Sequence, residues 1–113
     1  MVRIRNADKQ DIQQLITLMN NQYTRKKDSS YFLWQYFSTT FPSVISIAED
    51  NDKIIGMFGL QRKELNNGIV GGQAIDMLIH PDYRKMGIFN SLFDYAFKQF
   101  NKLDFVFVLP NKN

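Results

Sequence analysis

The stretch His80-Pro81-Asp82-Tyr83-Arg84-Lys85-Met86-Gly87-Ile88-Phe89 decides the fold. It joins an apolar run, "GGQAIDMLI", to a run in which Phe89, Leu92, Phe93, Ala96 and Phe100 recur at helical spacing. It is therefore a strand-to-helix turn. The first amides of a helix have no intrahelical partner, and the helix dipole adds partial positive charge there. Such an end suits a phosphate group. Glycine at this point reaches backbone dihedrals closed to other residues and lets a ligand come close to the chain. Arg84 and Lys85 add charge for phosphate oxygens. An anion-binding loop is one reading; a plain turn with solvated cations is the other. The residues alone leave both open.

Upstream, Val2 and Ile4 alternate with Arg3 and Arg5, which predicts a short first strand. Asp8 reads as a helix N-cap with Asp11 three residues on. Ile12, Leu15, Ile16, Met19 and Tyr23 then fall on one helical face. Ser29 or Ser30 is the expected cap of a short second helix through "YFLWQYF", buried or covering a groove and ended by Pro42. "SVISIAE" reads as the second strand, and Asp50-Asn51-Asp52 is turn chemistry. "KIIGMFGLQRKEL" reads as the third strand, with Gly56 and Gly59 marking a bulge. Asn66-Asn67-Gly68 is a hairpin signal that leads into the fourth strand.

Downstream of the third helix, "DFVFVL" has the composition of a buried fifth strand. The order is β-α-α-β-β-β-α-β, an α/β (α+β) chain with a mixed sheet. Strands two to four form an antiparallel meander. A helical crossover makes strands four and five parallel.

At 113 residues this is one domain, with an N-terminal arm over 1–42 and a core over 43–113. Ten phenylalanines, five tyrosines and one tryptophan argue for a packed core over disorder. Without cysteine there is no disulfide, thiolate metal site or cysteine nucleophile. No apolar run approaches the roughly 18 residues of a membrane span, and "MVRIRNAD" has no signal-peptide core. A cytoplasmic protein with no membrane association is expected. A net charge of +3, with only Arg25-Lys26-Lys27, Arg62-Lys63 and Arg84-Lys85 as cationic runs, gives no nucleic-acid footprint.

With Arg84, Lys85, Met86 and Gly87 on the page, the chain resembles the GNAT superfamily of N-acetyltransferases. These four residues match the opening of that family's Arg/Gln-x-x-Gly-x-Gly/Ala motif, which follows a strand at a helix start. "RNADKQDIQQLITLM" also resembles the family's first strand and helix. The resemblance covers nearly the whole chain, with its specificity between Gly72 and Asn90.

The resemblance implies acetyl-CoA as acyl donor, no metal, and direct transfer to an amine of a small molecule or peptide. Backbone groups of Leu78, Ile79 and His80 would pair with pantetheine. Amides of Arg84, Lys85, Met86, Gly87, Ile88 and Phe89 would hold the pyrophosphate. The fourth and fifth strands would splay apart. Phe89 stands where the motif has a small residue, so its side chain is expected in the core.

The family continues past the fifth strand, whereas this sequence ends at "VLPNKN", where Asn111 resembles an asparagine common after that strand. A chain cut short, a naturally short protein and a partner completing the sheet are three explanations. The last makes a homodimer an expectation.

Asp76 is the candidate general base. Strict alternation puts Ala74, Asp76, Leu78 and His80 on one face, opposite Ile75, Met77 and Ile79. A carboxylate bonded to neighbouring strands or to Arg62 is the competing reading. Gln73 is nearer the family's catalytic glutamate but cannot take a proton at neutral pH. His80, just before Pro81, is expected to be structural, and one histidine without cysteine argues against zinc. Trp34 and Tyr36 would flank the acceptor pocket, or simply pack. A second function class stays open beside the transferase: a non-catalytic module of this fold that binds acyl-CoA or a protein partner.

Overall fold

A computed structural model describes residues 1–22, 26–37, 42–100 and 102–108. The elements are β1 (Val2–Asn6), α1 (Ile12–Asn20), α2 (Ser29–Phe32), β2 (Ser43–Asp50), β3 (Lys53–Glu64), β4 (Val70–Ile79), α3 (Ile88–Lys98) and β5 (Phe105–Val108). This is the expected order. The five strands form one sheet in the order β1-β2-β3-β4-β5, antiparallel throughout except for the parallel β4–β5 pair. Among the described residues no helix is long and apolar enough to cross a membrane.

Both sheet faces are covered, so the sheet is buried as the middle layer. On one face α1 and α2 pack Leu15, Met19, Phe32 and Tyr36 against Ile45, Ile47, Met57 and Leu78. On the other, α3 packs Ile88, Leu92 and Ala96 against Ala48, Ile55, Phe58 and Leu60. The α1 face matches the sequence reading, with Leu18 buried as well. Tyr23, Arg25 and Asn111 lie outside the described residues.

Local chemistry sets the boundaries. The Asp8 carboxylate accepts from the Gln10 amide at 2.8 Å, and Asp11 accepts from the Asp8 amide at 2.8 Å. The Asp8 cap is the one expected from sequence, and the return bond from Asp11 makes it reciprocal. The second helix is capped differently: Asp28 accepts from the Tyr31 amide, so neither Ser29 nor Ser30 is the cap. Asp28 is the first residue of that group able to reach the third helical amide. Beyond Phe32 the helix widens into a π-turn over Leu33–Phe37. Asn51 and Asp52, with φ of 52° and 66°, make the tight β2–β3 hairpin.

The glycines sit at two bulges. In β3, Ala48 pairs with Gly56 and Glu49 with Ile54, leaving Ile55 as an extra residue. Between β3 and β4, Phe58 pairs with Met77 and Leu60 with Ala74, so Gly59 faces both Ile75 and Asp76. The second bulge corrects the expected alternation. Ala74 packs with the α3 side, whereas Ile75 and Leu78 pack with the α1–α2 side. One inserted residue reverses the facing of everything before it. The fifth strand is also corrected. It is an edge strand, with Phe105 41% and Val108 72% exposed, not a buried one.

Candidate functional site

Three features converge on the C-terminal half of β4. The first is the edge of β4 beyond Ala74. β5 pairs with Gly71–Ala74, while β4 runs on to Ile79. Among the described residues no strand covers that edge of Ile75–Ile79. The His80 amide donates to Ile55 at 2.7 Å and its carbonyl accepts from Tyr83 at 2.9 Å. Of the expected trio Leu78, Ile79 and His80, the last is therefore engaged by the sheet and the following turn. By the alternation of an antiparallel ladder Leu78 also turns toward β3, so Met77 and Ile79 turn their backbone groups away from it.

The second feature is a buried carboxylate at the β4 bulge. Asp76 is 7% exposed, and its Oδ2 accepts hydroxyl hydrogens from both Tyr31 and Tyr36 at 2.6 Å. Arg62, the partner weighed from sequence, pairs with Glu64 instead. Tyr36 reaches the bulge because residue 59 has no side chain; a Cβ there would lie 2.1 Å from the hydroxyl. Tyr36, expected at the acceptor pocket, is buried against β4, whereas Trp34 points out at 69% exposure.

Tyr31 was not singled out by sequence reasoning. Two residues five apart stand about 140° apart on an α-helix. The π-turn brings Tyr31 and Tyr36 to one oxygen. The spacing alone carries no signal for that geometry.

The third feature is the loop before α3. His80 caps a short turn over Pro81–Tyr83, its Nδ1 accepting from the Asp82 amide at 3.1 Å. The Tyr83 hydroxyl donates to Asp50 at 2.7 Å, tying the loop to the end of β2. That bond raises the tyrosine pKa; with the terminal ammonium it holds the Asp50 carboxyl below its usual range.

Lys85 and Gly87 then take left-handed φ values of 68° and 74°. Arg84 is extended, at φ −70° and ψ 156°, so Arg84 and Lys85 carry the φ signs of a type II turn. Ser91 is the first amide with a helical acceptor, Gly87 at 3.3 Å, so those of Ile88, Phe89 and Asn90 point out of the helix end.

The side chains of the loop divide by role. Ile88 is buried and anchors the helix, while Met86 is 60% exposed. Phe89 is 38% exposed, its ring edge-on to Phe58 at 5.9 Å, so it borders the core without entering it. Arg84 donates to the Ile79 carbonyl at 3.1 Å and to the Gln22 side chain at 2.7 Å. Its guanidinium thus fastens the loop to β4 and to the end of α1. Gln22 was another residue the sequence did not mark.

The sequence matches the family model of a GNAT acetyltransferase domain over residues 3–111. No curated protein matches it. Solved structures do. A ribosomal-protein-alanine N-acetyltransferase from Brucella melitensis biovar Abortus 2308 aligns at 18% identity and TM-score 0.76, covering 99% of this chain and 82% of that one. A glucosamine-6-phosphate N-acetyltransferase from Arabidopsis thaliana aligns at 14% identity and TM-score 0.79, with 99% and 84% covered. A predicted acetyltransferase from Clostridium acetobutylicum, solved with acetyl-CoA, aligns at 21% identity and TM-score 0.78, with 99% and 82% covered. At these identities the likeness is one of fold.

Proposed function

The chain belongs to the GNAT acetyltransferase family, and we propose that it transfers acetyl from acetyl-CoA to an amine. One observation carries this reading: the loop with left-handed Lys85 and Gly87 joins the end of β4 directly to the free amides at the start of α3. The amides from Lys85 to Asn90 would hold the pyrophosphate. Arg84 would keep the loop in place, and Lys85 would supply charge. Pantetheine would lie along β4, pairing with the backbone of Met77 and the amide of Ile79, whose carbonyl Arg84 holds.

Asp76 is the proposed general base. Its Oδ2 is occupied by two phenols, and among the described residues no fully buried side-chain oxygen lacks a partner. The other carboxylate oxygen would face the acceptor. A base must come within hydrogen-bond reach of the ammonium whose proton it takes. A β4 amide next to the bulge would polarise the thioester carbonyl.

Isothermal titration with acetyl-CoA, followed by assay of CoA release with a panel of amines, tests the proposal. Binding with release is expected. Binding without release from any amine would leave only a non-catalytic acyl-CoA module, and absence of binding would remove both readings.

A further inference from the structure

The Lys27 ammonium lies over the ring of Tyr31, 4.5 Å from its centroid. The hydroxyl of that ring is bonded to Asp76. One phenol therefore separates a primary amine of the chain from the carboxylate at the β4 bulge. Its placement is imposed by the backbone. The Asn20 side chain accepts from the Lys27 amide at 2.8 Å and donates to the Lys27 carbonyl at 3.0 Å. Lys26, next to it, goes elsewhere, its ammonium bonded to the Asn20 carbonyl at 2.5 Å. Two adjacent lysines of equal intrinsic reactivity thus occupy different environments. One is exposed at the end of α1; the other is half-buried on the aromatic face beside Asp76.

We infer that Lys27 is an acceptor of this chain's own acetyl transfer, modified in cis at Nζ. The inference rests on the acetyl transfer proposed above and names a substrate class for it: a primary alkylammonium seated on the Tyr31 ring. The attraction of a cation to an aromatic face selects that class. The Asp76 carboxylate adds to the selection and disfavours anionic acceptors.

The step balances. The Lys27 ammonium first swings past the edge of the Tyr31 ring to Asp76, where one proton passes to the carboxylate and later to water. The free amine forms a bond to the acetyl carbon, the carbon–sulfur bond breaks, and the second nitrogen proton goes to the departing CoA thiolate. Neutral acetyl-lysine then has no charge to hold on the ring, so the seat opens to an external amine.

The test is peptide mapping by mass spectrometry of the whole chain after incubation with isotope-labelled acetyl-CoA alone, with acetyl-CoA binding measured by calorimetry on the same sample. Lys26 is the internal control for uncatalysed acetylation. Lys27 is expected to gain label at least about tenfold faster than Lys26, within the roughly 10²–10⁴ that a positioned base supplies. The preference should vanish in Asp76→Asn and in Tyr31→Leu.

Acetyl-CoA binding with equal labelling of the two lysines would overturn the inference and leave the transferase reading standing. A preference that survives in Asp76→Asn would also overturn it, since Lys27 would then be reactive without the site. Failure of the protein to bind acetyl-CoA would bring down both. Should Asp76→Asn fail to fold, the Lys27-to-Lys26 ratio of the native chain together with Tyr31→Leu still decides.

Discussion

The Tyr36 hydroxyl fills the space that a side chain on Gly59 would need: a Cβ there would stand 2.1 Å from the oxygen and 2.6 Å from the ring carbon bearing it. The bulge in β4 and the π-turn in α2 therefore meet at a point where only glycine fits. Gly59→Ala is expected to push the phenol off Asp76 and to destabilise the fold by about 1–3 kcal/mol. Denaturant unfolding measures the loss. Acetyl-CoA affinity should change little, because the phosphate loop is elsewhere, while amine-dependent CoA release should fall sharply.

Gly87 offers the opposite case. A Cβ there meets nothing within 4 Å, yet its φ of 74° is unfavourable for any other residue. The effect of Gly87→Val is thus conformational, worth about 1–2 kcal/mol at the loop. The protein should stay folded by circular dichroism while its acetyl-CoA affinity drops by at least about tenfold, the equivalent of about 1.4 kcal/mol. Unchanged affinity in a folded variant would remove the loop from the binding site.

Lys85, at φ 68°, separates charge from backbone. Lys85→Gly and Lys85→Ala both delete the ammonium, but only alanine keeps the left-handed penalty. The glycine variant should be the more stable by about 1 kcal/mol in thermal or denaturant unfolding. Both should bind acetyl-CoA more weakly than the native chain if the ammonium meets phosphate.

A charge cluster joins β1, β2 and the start of α1. Arg5 grips Asp11 through two bonds of 2.9 Å and Glu49 through one of 3.2 Å, and Arg3 bonds Glu49 as well. The Arg5 hydrogen bond is the main cause holding both carboxyls below their usual range. A lowered folded-state pKa gives stability that is complete above the unfolded value, near 4, and lost as pH falls through the folded values. The melting temperature should therefore decline from about pH 4 downward. Arg5→Met should lower it at neutral pH by about 10 °C, the equivalent of about 2 kcal/mol in a domain of this size, and flatten the acid limb.

Tyr83→Phe removes the bond that ties the loop before α3 to Asp50. The expected result is a loss of acetyl-CoA affinity of about 2–10-fold with little change in melting temperature, as for one exposed hydrogen bond. A calorimetric titration of the two proteins side by side decides it.

Much of this architecture can be read from periodicity and punctuation. Helical spacing places α1 and α3, the Asp8–Asp11 pair announces its own cap, and Gly56 and Gly59 mark the bulges. The loop before α3 stands out because glycine and two cations interrupt an apolar context.

What escapes is geometry set by more than one element. Alternation along β4 fails at Ile75–Asp76, since the extra residue is counted against β3 and not within β4 itself. Tyr31 reaches Asp76 only through a π-turn, which has no mark in the residue types. Phe89 and β5 are apolar enough for a core, but their burial depends on what else covers them. Arg84 reads as a phosphate ligand by charge, whereas its partners Gln22 and Ile79 come from 62 and 5 residues away.

Gly71 and Gly72 carry a consequence for the spacing of β4 and β5. A methyl on Gly71 would press on the rings of Phe105 and Phe107 at 3.1 Å, and one on Gly72 on Leu103 at 3.0 Å. The distance between the two strands is thus set by three apolar side chains meeting bare backbone. Substitutions here would shift β5 against β4 without altering any residue of the proposed site, so the room such a site offers is open to tuning at a distance.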